Sequence, residues 1–465
     1  MVVTSIFIGR IQLGHNKNKL WPQVVTVFAV SLHACFMGLA TGWTSPSIPK
    51  LVAQDSYIPM SFEKASYFAI LQALSMILFS PVGAILGDII GRKKAAICIS
   101  ILELVSWILV AYAKDAWVLL ASRIPAGMAD AIFLFTLPVY IAEVTEKHIR
   151  GRLGIMVQLN FCIGNLIINL VGYYLSIPKT ALLMALLPFV HIFVFYMMPE
   201  SPYWLVHKNR SEEARKHLQL LRWREDVDDE FNEISKAIEK QFNEKESYRE
   251  LFAVSYNRKA FLIALIARIS QQLSGSTAIS GFMQYIFEEV GGEMSRHVSA
   301  TICASLSVLI ILLSVPVIDN YGRKPLILLS SGGCSAVLFG LAIFFYLKYL
   351  YDIRAVSWLP LVFMLSFIAF YSAGLSMIPT MMLGEIFSAN VKSKAVILIT
   401  FVYGGGAMFA TKIFQVLVDH VGFYAPFLFF GITTAIFTTI LYCTFVETKN
   451  KSLDEIQDML KNQNK

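Results

Sequence analysis

Charged side chains are scarce in this sequence. Only 15% of its 465 residues are Asp, Glu, Lys or Arg, while 56% are hydrophobic and the mean hydropathy is +0.61. Soluble domains carry about 25% charged residues, and single soluble cores stop growing at about 250–300 residues. These proportions exclude a disordered protein and an ordinary cytosolic enzyme. They indicate a chain that lies largely in lipid.

Paired cysteines and catalytic motifs are also lacking. The six cysteines are far apart, fall in apolar stretches and show no metal-ligand spacing. This excludes a disulfide-stapled secreted scaffold and predicts no metal site. Neither a phosphate-binding pattern Gly-x-x-x-x-Gly-Lys-[Ser/Thr] nor a nucleophile–base–acid constellation is present. We therefore expect no nucleotide, no other cofactor, no catalytic residues and no enzymatic activity.

The positive charge does not indicate nucleic acid as a partner. The net charge is +7, but the basic residues form short clusters between apolar runs and no basic face with interleaved aromatics. The expected partners are the lipid bilayer and a small solute, and no obligate protein partner is evident.

Long apolar runs are what the sequence has in abundance. A bilayer core of about 30 Å needs roughly 20 apolar residues per helix. Twelve windows of this kind occur, near residues 24–43, 65–86, 95–113, 116–142, 153–176, 180–198, 260–287, 298–318, 325–350, 356–384, 394–418 and 423–446. They predict an all-α membrane protein with two six-helix bundles, and their lack of period-2 alternation argues against a barrel.

Lysine and arginine predict the orientation of these spans. They are concentrated in alternate loops, at 92–94, 147–152, 323–324 and 392–394, while the opposite loops are short and nearly balanced. Cytosolic loops carry the basic excess, so both termini should be cytosolic in a multi-pass plasma-membrane protein. The start of the chain shows no cleavage site and is interpreted as a tail. The predicted segments are the N-terminal tail 1–23, the first bundle 24–198, a helical linker 199–258, the second bundle 259–446 and the C-terminal tail 447–465.

Three charge patterns occur twice, in the same order in each half. Asp88-Ile-Ile-Gly-Arg92 recurs as Asp319-Asn-Tyr-Gly-Arg323, and Glu143 with Arg150 recurs as Glu385 with Lys392. Glu200 after the sixth span recurs as Glu447 after the twelfth. The chain is therefore expected to consist of two related halves, which is typical of secondary transporters with a site between the halves at the midplane.

These repeated charges predict a cytosolic gate. Each acid lies at a helix end within reach of basic loop residues, so the pairs would hold the halves together and separate when the cavity opens inward. An exposed ion pair contributes about 0–1 kcal/mol to stability. Only a network of such pairs would therefore shift the equilibrium between conformations. The alternative is that the basic residues only set the topology. The candidate network is Asp88, Arg92, Glu143, Arg150, Glu200, Asp319, Arg323, Glu385, Lys392 and Glu447.

With these motifs the chain resembles a sugar porter of the major facilitator superfamily, most like insect-type facilitated trehalose transporters and facilitative glucose transporters. The resemblance also includes Pro138-Val-Tyr-Ile-Ala-Glu143, Pro199-Glu200-Ser201-Pro202, Gln271-Gln272-Leu-Ser-Gly275 and Gly384-Glu385-Ile-Phe387. It implies alternating access to a central sugar site.

The resemblance also implies which residues bind substrate. Gln158, Gln271 and Gln272 match the sugar-contacting glutamines of the family, although adjacent residues of a helix point about 100° apart and one of the last two should brace the bundle. At three further positions where the family has substrate-binding residues, this chain has different ones. These additional candidates for substrate binding are Thr277, Ser307 and Thr380, and the differences leave the identity of the substrate open.

Charges inside spans raise the question of ion coupling. Arg123 matches a family arginine, but the aspartate that partners it in proton-coupled members is absent from Gly38-Leu39-Ala40. Asp130 lies two turns after Arg123 on the same helix face. A structural ion pair, such as one between Glu103 and Arg268, explains charges inside the spans as well as a role in ion coupling does.

The function predicted is transport of trehalose or a hexose by facilitated diffusion without ion coupling. Three alternatives stay open at this point: a carrier of another polyol or small organic solute, a proton-coupled sugar symporter, and a sugar sensor that does not transport.

Overall fold

The computed structural model describes residues 19–243, 248–291, 294–352, 354–387, 389–449, 451 and 453–462. All of the regular structure within these ranges is helical. The side chains of Arg150 and Asp319, two of the predicted gate residues, lie outside what is described.

The first half contains the helices of the first predicted bundle. They are α1 (Trp21–Gly42), α2 (Thr44–Val52), α3 (Phe62–Ile90), α4 (Arg92–Ala111), α5 (Ala116–Ala121), α6 (Arg123–Val144), α7 (Lys147–Tyr174) and α8 (Ile177–Tyr196). Helix α1 packs on α7, α3 on α6 and α4 on α8.

Short helices with a small core of their own link the two halves. They are α9 (Pro202–His207), α10 (Ser211–Arg222), α11 (Asp228–Asn243) and α12 (Tyr248–Ala253). Buried Trp204, Leu218 and Ile234 pack together between them. The buried Arg222 guanidinium donates to the Val144 carbonyl at the end of α6 (3.0 Å) and pairs with Glu230, which attaches the linker to the first half.

The second half repeats the arrangement of the first. Its helices are α13 (Ser255–Leu273), α14 (Ser276–Gly281), α15 (Met283–Val290), α16 (Arg296–Tyr321), α17 (Arg323–Leu350), α18 (Leu359–Ala373), α19 (Ile378–Glu385), α20 (Ala389–His420), α21 (Tyr424–Thr444) and α22 (Leu453–Asn462). The two halves meet where α3 packs on α20 and α7 packs on α16.

Eleven helical stretches among the described residues are long and apolar enough to cross a membrane. The predicted span 260–287 is not one of them, because the chain there folds as three successive helices, α13 to α15. Gly275, between the end of α13 and the start of α14, adopts a left-handed conformation (φ +74°) and interrupts the helix. Broken helices at membrane depth occur where the backbone lines a cavity or is buried in protein.

Two glycines form equivalent tight turns at one end of the bundle. Gly91 between α3 and α4 has φ +99°, and Gly322 between α16 and α17 has φ +89°, values that a residue with a Cβ rarely adopts. We call this end, which also carries the starts of α1, α7 and α13, the glycine end.

Candidate functional site

The repeated charges of the first half form a compact cluster at the glycine end. Arg92 Nε lies 3.0 Å from Glu143 Oε2, and its Nη1 lies 2.7 Å from Asp88 Oδ1. Arg92 is therefore shared by the ends of α3 and α6, while Asp88 stays largely exposed.

Glu200 caps the helix that begins at this cluster. Its Oε1 accepts hydrogen bonds from the backbone N–H of Lys93 (3.0 Å) and of Ser201 (2.9 Å). Burial raises the pKa of this carboxyl above its usual value, and the two N–H donors oppose that increase. A Cβ on Gly91 would collide with the same carboxylate, which explains the glycine there.

The second half repeats this geometry with Glu447 and Glu385. Glu447 accepts from the backbone N–H groups of Arg323 (3.0 Å) and Lys324 (2.9 Å) at the start of α17. Burial alone would raise the pKa of Glu447, but the bonds from the Arg323, Lys324 and Lys449 N–H groups lower it below its usual value. Arg323 Nη2 lies 3.1 Å from Glu385 Oε1, whose partner oxygen accepts from Thr448 Oγ1.

These described pairs each join groups of one half. In this conformation they hold together the helix ends of that half rather than tie the halves to each other. Lys392 lies exposed at the start of α20. A role of the network in linking the halves stays a prediction for a different conformation.

Several side-chain contacts between the halves lie at the other end of the bundle, which we call the opposite end. The Phe62 ring stacks on Tyr285 (centroids 4.3 Å apart) and also contacts Phe282. The Tyr173 ring stacks on His297 (3.5 Å). Lys412 Nζ lies 3.4 Å from the Glu63 carboxylate. The described residues therefore close the space between the halves at the opposite end.

Of the predicted glutamines, Gln158 lies near the middle of α7, whereas Gln271 and Gln272 lie at the end of α13, just before the break at Gly275. Gln271 is buried, accepts from Arg268 Nη1 (2.7 Å) and donates to the Ser376 carbonyl (3.1 Å). Gln272 is also buried and accepts from Thr277 Oγ1 (2.9 Å). Gln271 therefore braces the break in the seventh predicted span, and Gln272 is joined to a second candidate residue.

The other three candidates for substrate binding are less buried than Gln271 and Gln272. Gln158 is half-buried on α7, and the Nε2 of its amide lies 4.0 Å from Cys162 Sγ. Ser307 donates to the Cys303 carbonyl of its own helix (3.2 Å), and Thr380 is exposed on α19. Within the described residues, neither Ser307 nor Thr380 has a hydrogen bond to the glutamines.

Arg123 and Asp130 lie in a buried charge cluster of the first half. The Arg123 guanidinium sits 4.3 Å from the Trp43 ring centroid, and its Nη1 donates to the Ala40 carbonyl (3.2 Å). Asp130 Oδ2 accepts from Gln72 Nε2 (2.8 Å). The sequence interpretation missed Gln72, although a polar residue inside a span is a signal of function.

Glu103 belongs to this cluster, so the suggested pair between Glu103 and Arg268 is wrong. Glu103 is 1% exposed and interacts electrostatically with Arg123 and Asp130, whereas Arg268 faces Gln271 and the Tyr403 ring of the second half. Glu103 Oε2 and Asp130 Oδ1 are buried without a hydrogen bond among the described residues. Arg123 Nε and Nη2 are also buried without a hydrogen bond, so the two buried carboxyls lie near one guanidinium with no direct ion pair to it among the described residues.

A second group of amides between the halves was not predicted from the sequence. Asn165 and Asn169 on α7 face Ser280 and Gln284 of the second half, and Ser45 Oγ donates to Asn169 Oδ1 (2.8 Å). The signal that could have revealed it is the spacing of polar residues along α7, where residues three and four apart share a face.

Comparisons with known proteins agree with this architecture. The chain matches the family model described as sugar (and other) transporter over residues 30–460. It is 30% identical over 443 residues to the facilitated trehalose transporter Tret1 of Apis mellifera ligustica, covering 94% of this chain and 87% of that protein. It is also 30% identical to Tret1 of Polypedilum vanderplanki, covering 95% and 88%.

The fold is similar to that of solved transporters. The proton:xylose symporter XylE bound to 6-bromo-6-deoxy-D-glucose superposes with a TM-score of 0.77 at 18% identity, over 95% of this chain and 100% of that one. The inward open conformation of the Escherichia coli xylose transporter XylE gives a TM-score of 0.76 at 17% identity over 93% and 98%. By its sequence over nearly its whole length, the chain belongs to the sugar (and other) transporter family of membrane proteins.

Proposed function

We propose that this protein carries trehalose or a hexose across the plasma membrane by alternating access, without coupling to an ion. The observation that carries the proposal is that ring and charge contacts at the opposite end join the halves, whereas the repeated ion pairs at the glycine end stay within each half. Contacts that join two halves at one end are what a rocking motion around a central site needs.

We propose that the glycine end faces the cytosol. The basic clusters of the sequence lie there, and cytosolic loops carry such excess. On this proposal the chain crosses the membrane twelve times, with α13 to α15 together forming the seventh crossing, and both tails are cytosolic. The structure then corresponds to an inward-facing state.

Two glutamines and a threonine are the proposed sugar-binding residues. Gln158, Gln272 and Thr277 supply amide and hydroxyl groups that both donate and accept hydrogen bonds, as a polyol requires. Gln271 is assigned to bracing because both ends of its amide are already bonded within the second half. Ser307 and Thr380 are proposed to contact substrate only when the halves move relative to each other.

Uptake into proteoliposomes tests the function. Purified full-length protein should equilibrate labelled trehalose or glucose, and liposomes without protein and labelled L-glucose serve as controls. The accumulation ratio should stop at equal concentrations inside and outside and should not change with protonophore. Absence of uptake for every sugar would contradict the proposal.

A second candidate function is proton-coupled symport, which the buried carboxyl pair around Arg123 favours. Two carboxyls against one guanidinium leave one negative charge in excess, which a proton could neutralise. Accumulation above equal concentrations, driven by an inward proton gradient and abolished by Asp130→Asn, would establish symport instead.

A further inference from the structure

Helix α7 carries a polar stripe that extends beyond the proposed sugar site. Gln158, Cys162, Asn165 and Asn169 are three or four residues apart and therefore share one face. At 1.5 Å per residue, Asn165 lies about 10 Å from Gln158 along the helix, towards the opposite end.

The second half presents a matching stripe. Thr277 lies three and four residues before Ser280 and Gly281 on α14, and Gln284 on α15 lies four and three residues after them. Asn165 Nδ2 donates to Ser280 Oγ, and Gln284 Nε2 donates to Asn169 Oδ1, each at 3.4 Å. We call the four residues Asn165, Asn169, Ser280 and Gln284 the polar seam.

The hydrogen bonds of the seam that cross between the halves are longer than those within the first half. Both bonds across it measure 3.4 Å, near the upper limit for a hydrogen bond. Within the first half, Asn169 Nδ2 donates to Asn165 Oδ1 at 2.8 Å and Ser45 Oγ donates to Asn169 Oδ1 at 2.8 Å. When the halves separate, Asn165 and Asn169 therefore keep their orientation, and the groups that bridged the halves become available to a ligand.

A further hydroxyl lies beside the seam. Gly281 carries no side chain, and a Cβ there would lie 3.2 Å from Thr44 Oγ1, closer than ordinary van der Waals contact. Glycine at this position therefore lets the Thr44 hydroxyl of the first half approach the second half closely.

We propose that the polar seam is a second hydroxyl-binding subsite, which together with Gln158 and Gln272 selects a disaccharide over a single pyranose. Amides and hydroxyls suit sugar hydroxyls because they both donate and accept. The separation of about 10 Å along α7 suits two linked rings rather than one. The inference rests on the proposed sugar transport and adds the size of the sugar to it.

The test compares two sugars on the same variants. Asn165→Leu removes an amide at similar bulk, and Ser280→Ala removes a single half-buried oxygen and leaves the packing intact. Binding of trehalose and of glucose to the purified full-length protein is measured by calorimetry. Each variant should lose about threefold to tenfold in trehalose affinity while glucose affinity changes less than twofold.

Two further variants serve as controls. Gln158→Leu should lower the affinity for both trehalose and glucose. Asn160→Leu removes a buried amide on the same helix but off the stripe, where it donates to Ser31 Oγ (2.7 Å), and it should leave the ratio of the two affinities unchanged.

Three results would separate the inference from the function beneath it. Equal losses for both sugars in the seam variants, or no loss for either, would overturn the subsite and leave the seam as a closing contact. Wild-type protein that binds glucose but not trehalose would also overturn the subsite while sparing sugar transport. Wild-type protein that neither binds nor transports any sugar would contradict the proposed function itself.

Discussion

At the scale of single residues, the structure assigns different tasks to chemically identical side chains. Gln271 and Gln272 are neighbours, yet Gln271 is bonded to Arg268 and to a backbone carbonyl, while Gln272 is joined to Thr277. Gln158 is half-buried, and among the described residues the polar atom near its amide nitrogen is a sulfur 4.0 Å away. An amide with unused hydrogen-bonding capacity is the better candidate for contact with substrate.

Gln158 is therefore the residue whose amide can be tested alone. Gln158→Leu keeps a similar bulk and should weaken sugar binding by about 0.5–1.5 kcal/mol, the usual net contribution of one hydrogen bond. Equilibrium binding to purified protein measures this, with Leu170→Ala on the exposed face of the same helix as the control. Unchanged affinity would mean that Gln158 faces another helix instead.

The two capping glutamates should respond to pH with opposite signs. The pKa of Glu447 is lowered in the folded protein, so its contribution to stability is present above the ordinary carboxyl pKa of about 4.3 and is lost as pH falls. The pKa of Glu200 is raised, so its contribution is present below that value and is lost as pH rises.

Thermal unfolding in detergent at pH 7 and at pH 4 measures this difference. Glu447→Gln should lower the unfolding temperature more at pH 7 than at pH 4, because glutamine mimics the protonated acid. Because the folded protein favours the protonated form of Glu200, Glu200→Gln should change the unfolding temperature little at pH 4 and raise it at pH 7. If the effect of both substitutions on the unfolding temperature changed with pH in the same direction, the two capping glutamates would not differ electrostatically.

At the scale of helices, the ends of α4 and α17 determine where the repeated charges lie. Each begins directly after a glycine with positive φ, and each has its first N–H groups bonded to a glutamate from a distant part of the chain. A carboxylate at a helix N-terminus satisfies unpaired N–H groups and interacts favourably with the helix dipole. The repeated Gly-Arg-Lys motif is thus a helix start as much as a charge cluster.

Gly322→Ala tests that helix start. Its φ of +89° and ψ of 167° belong to a region used almost only by glycine, and a Cβ would lie 2.8 Å from Glu447 Oε2. The substitution should destabilise the protein by about 1–3 kcal/mol, measured as the free energy of unfolding in denaturant.

Gly332→Ala is the matched control in the interior of the same helix. No atom outside its local helix lies within 4 Å of the added Cβ, so alanine should stabilise by about 0.5–1 kcal/mol. If the two variants were equally stable, the turn at Gly322 would not require glycine.

At the scale of the whole molecule, the aromatic contacts at the opposite end bias the position of the two halves. Phe62 is 8% exposed and contacts the Phe282 and Tyr285 rings of the second half. Deleting a buried phenylalanine side chain costs about 3–5 kcal/mol, and about 1.4 kcal/mol changes a population ratio tenfold. Because this contact crosses the halves, its loss should favour the conformation in which the opposite end is open.

Phe62→Ala should therefore increase the distance between the halves at this end. Spin labels at Tyr57→Cys and Tyr349→Cys, both exposed, report that distance once the accessible Cys98 and Cys443 are replaced by serine. Phe189→Ala on the exposed face of α8 should leave the distances unchanged. An unchanged distribution in the Phe62 variant would show that other contacts keep the opposite end closed.

The sequence by itself determined the membrane class, most of the helical spans, the internal repeat and the family. These properties depend on hydropathy and on charges at regular intervals along the chain, which can be counted without knowing which helices meet. The broken span at Gly275, the division of tasks between Gln271 and Gln272 and the polar seam were decided only by the tertiary structure. Each depends on which helix faces which, and Glu103 shows why: its charge was evident in the sequence, but its partners are Arg123 and Asp130, brought together by the packing of the first half.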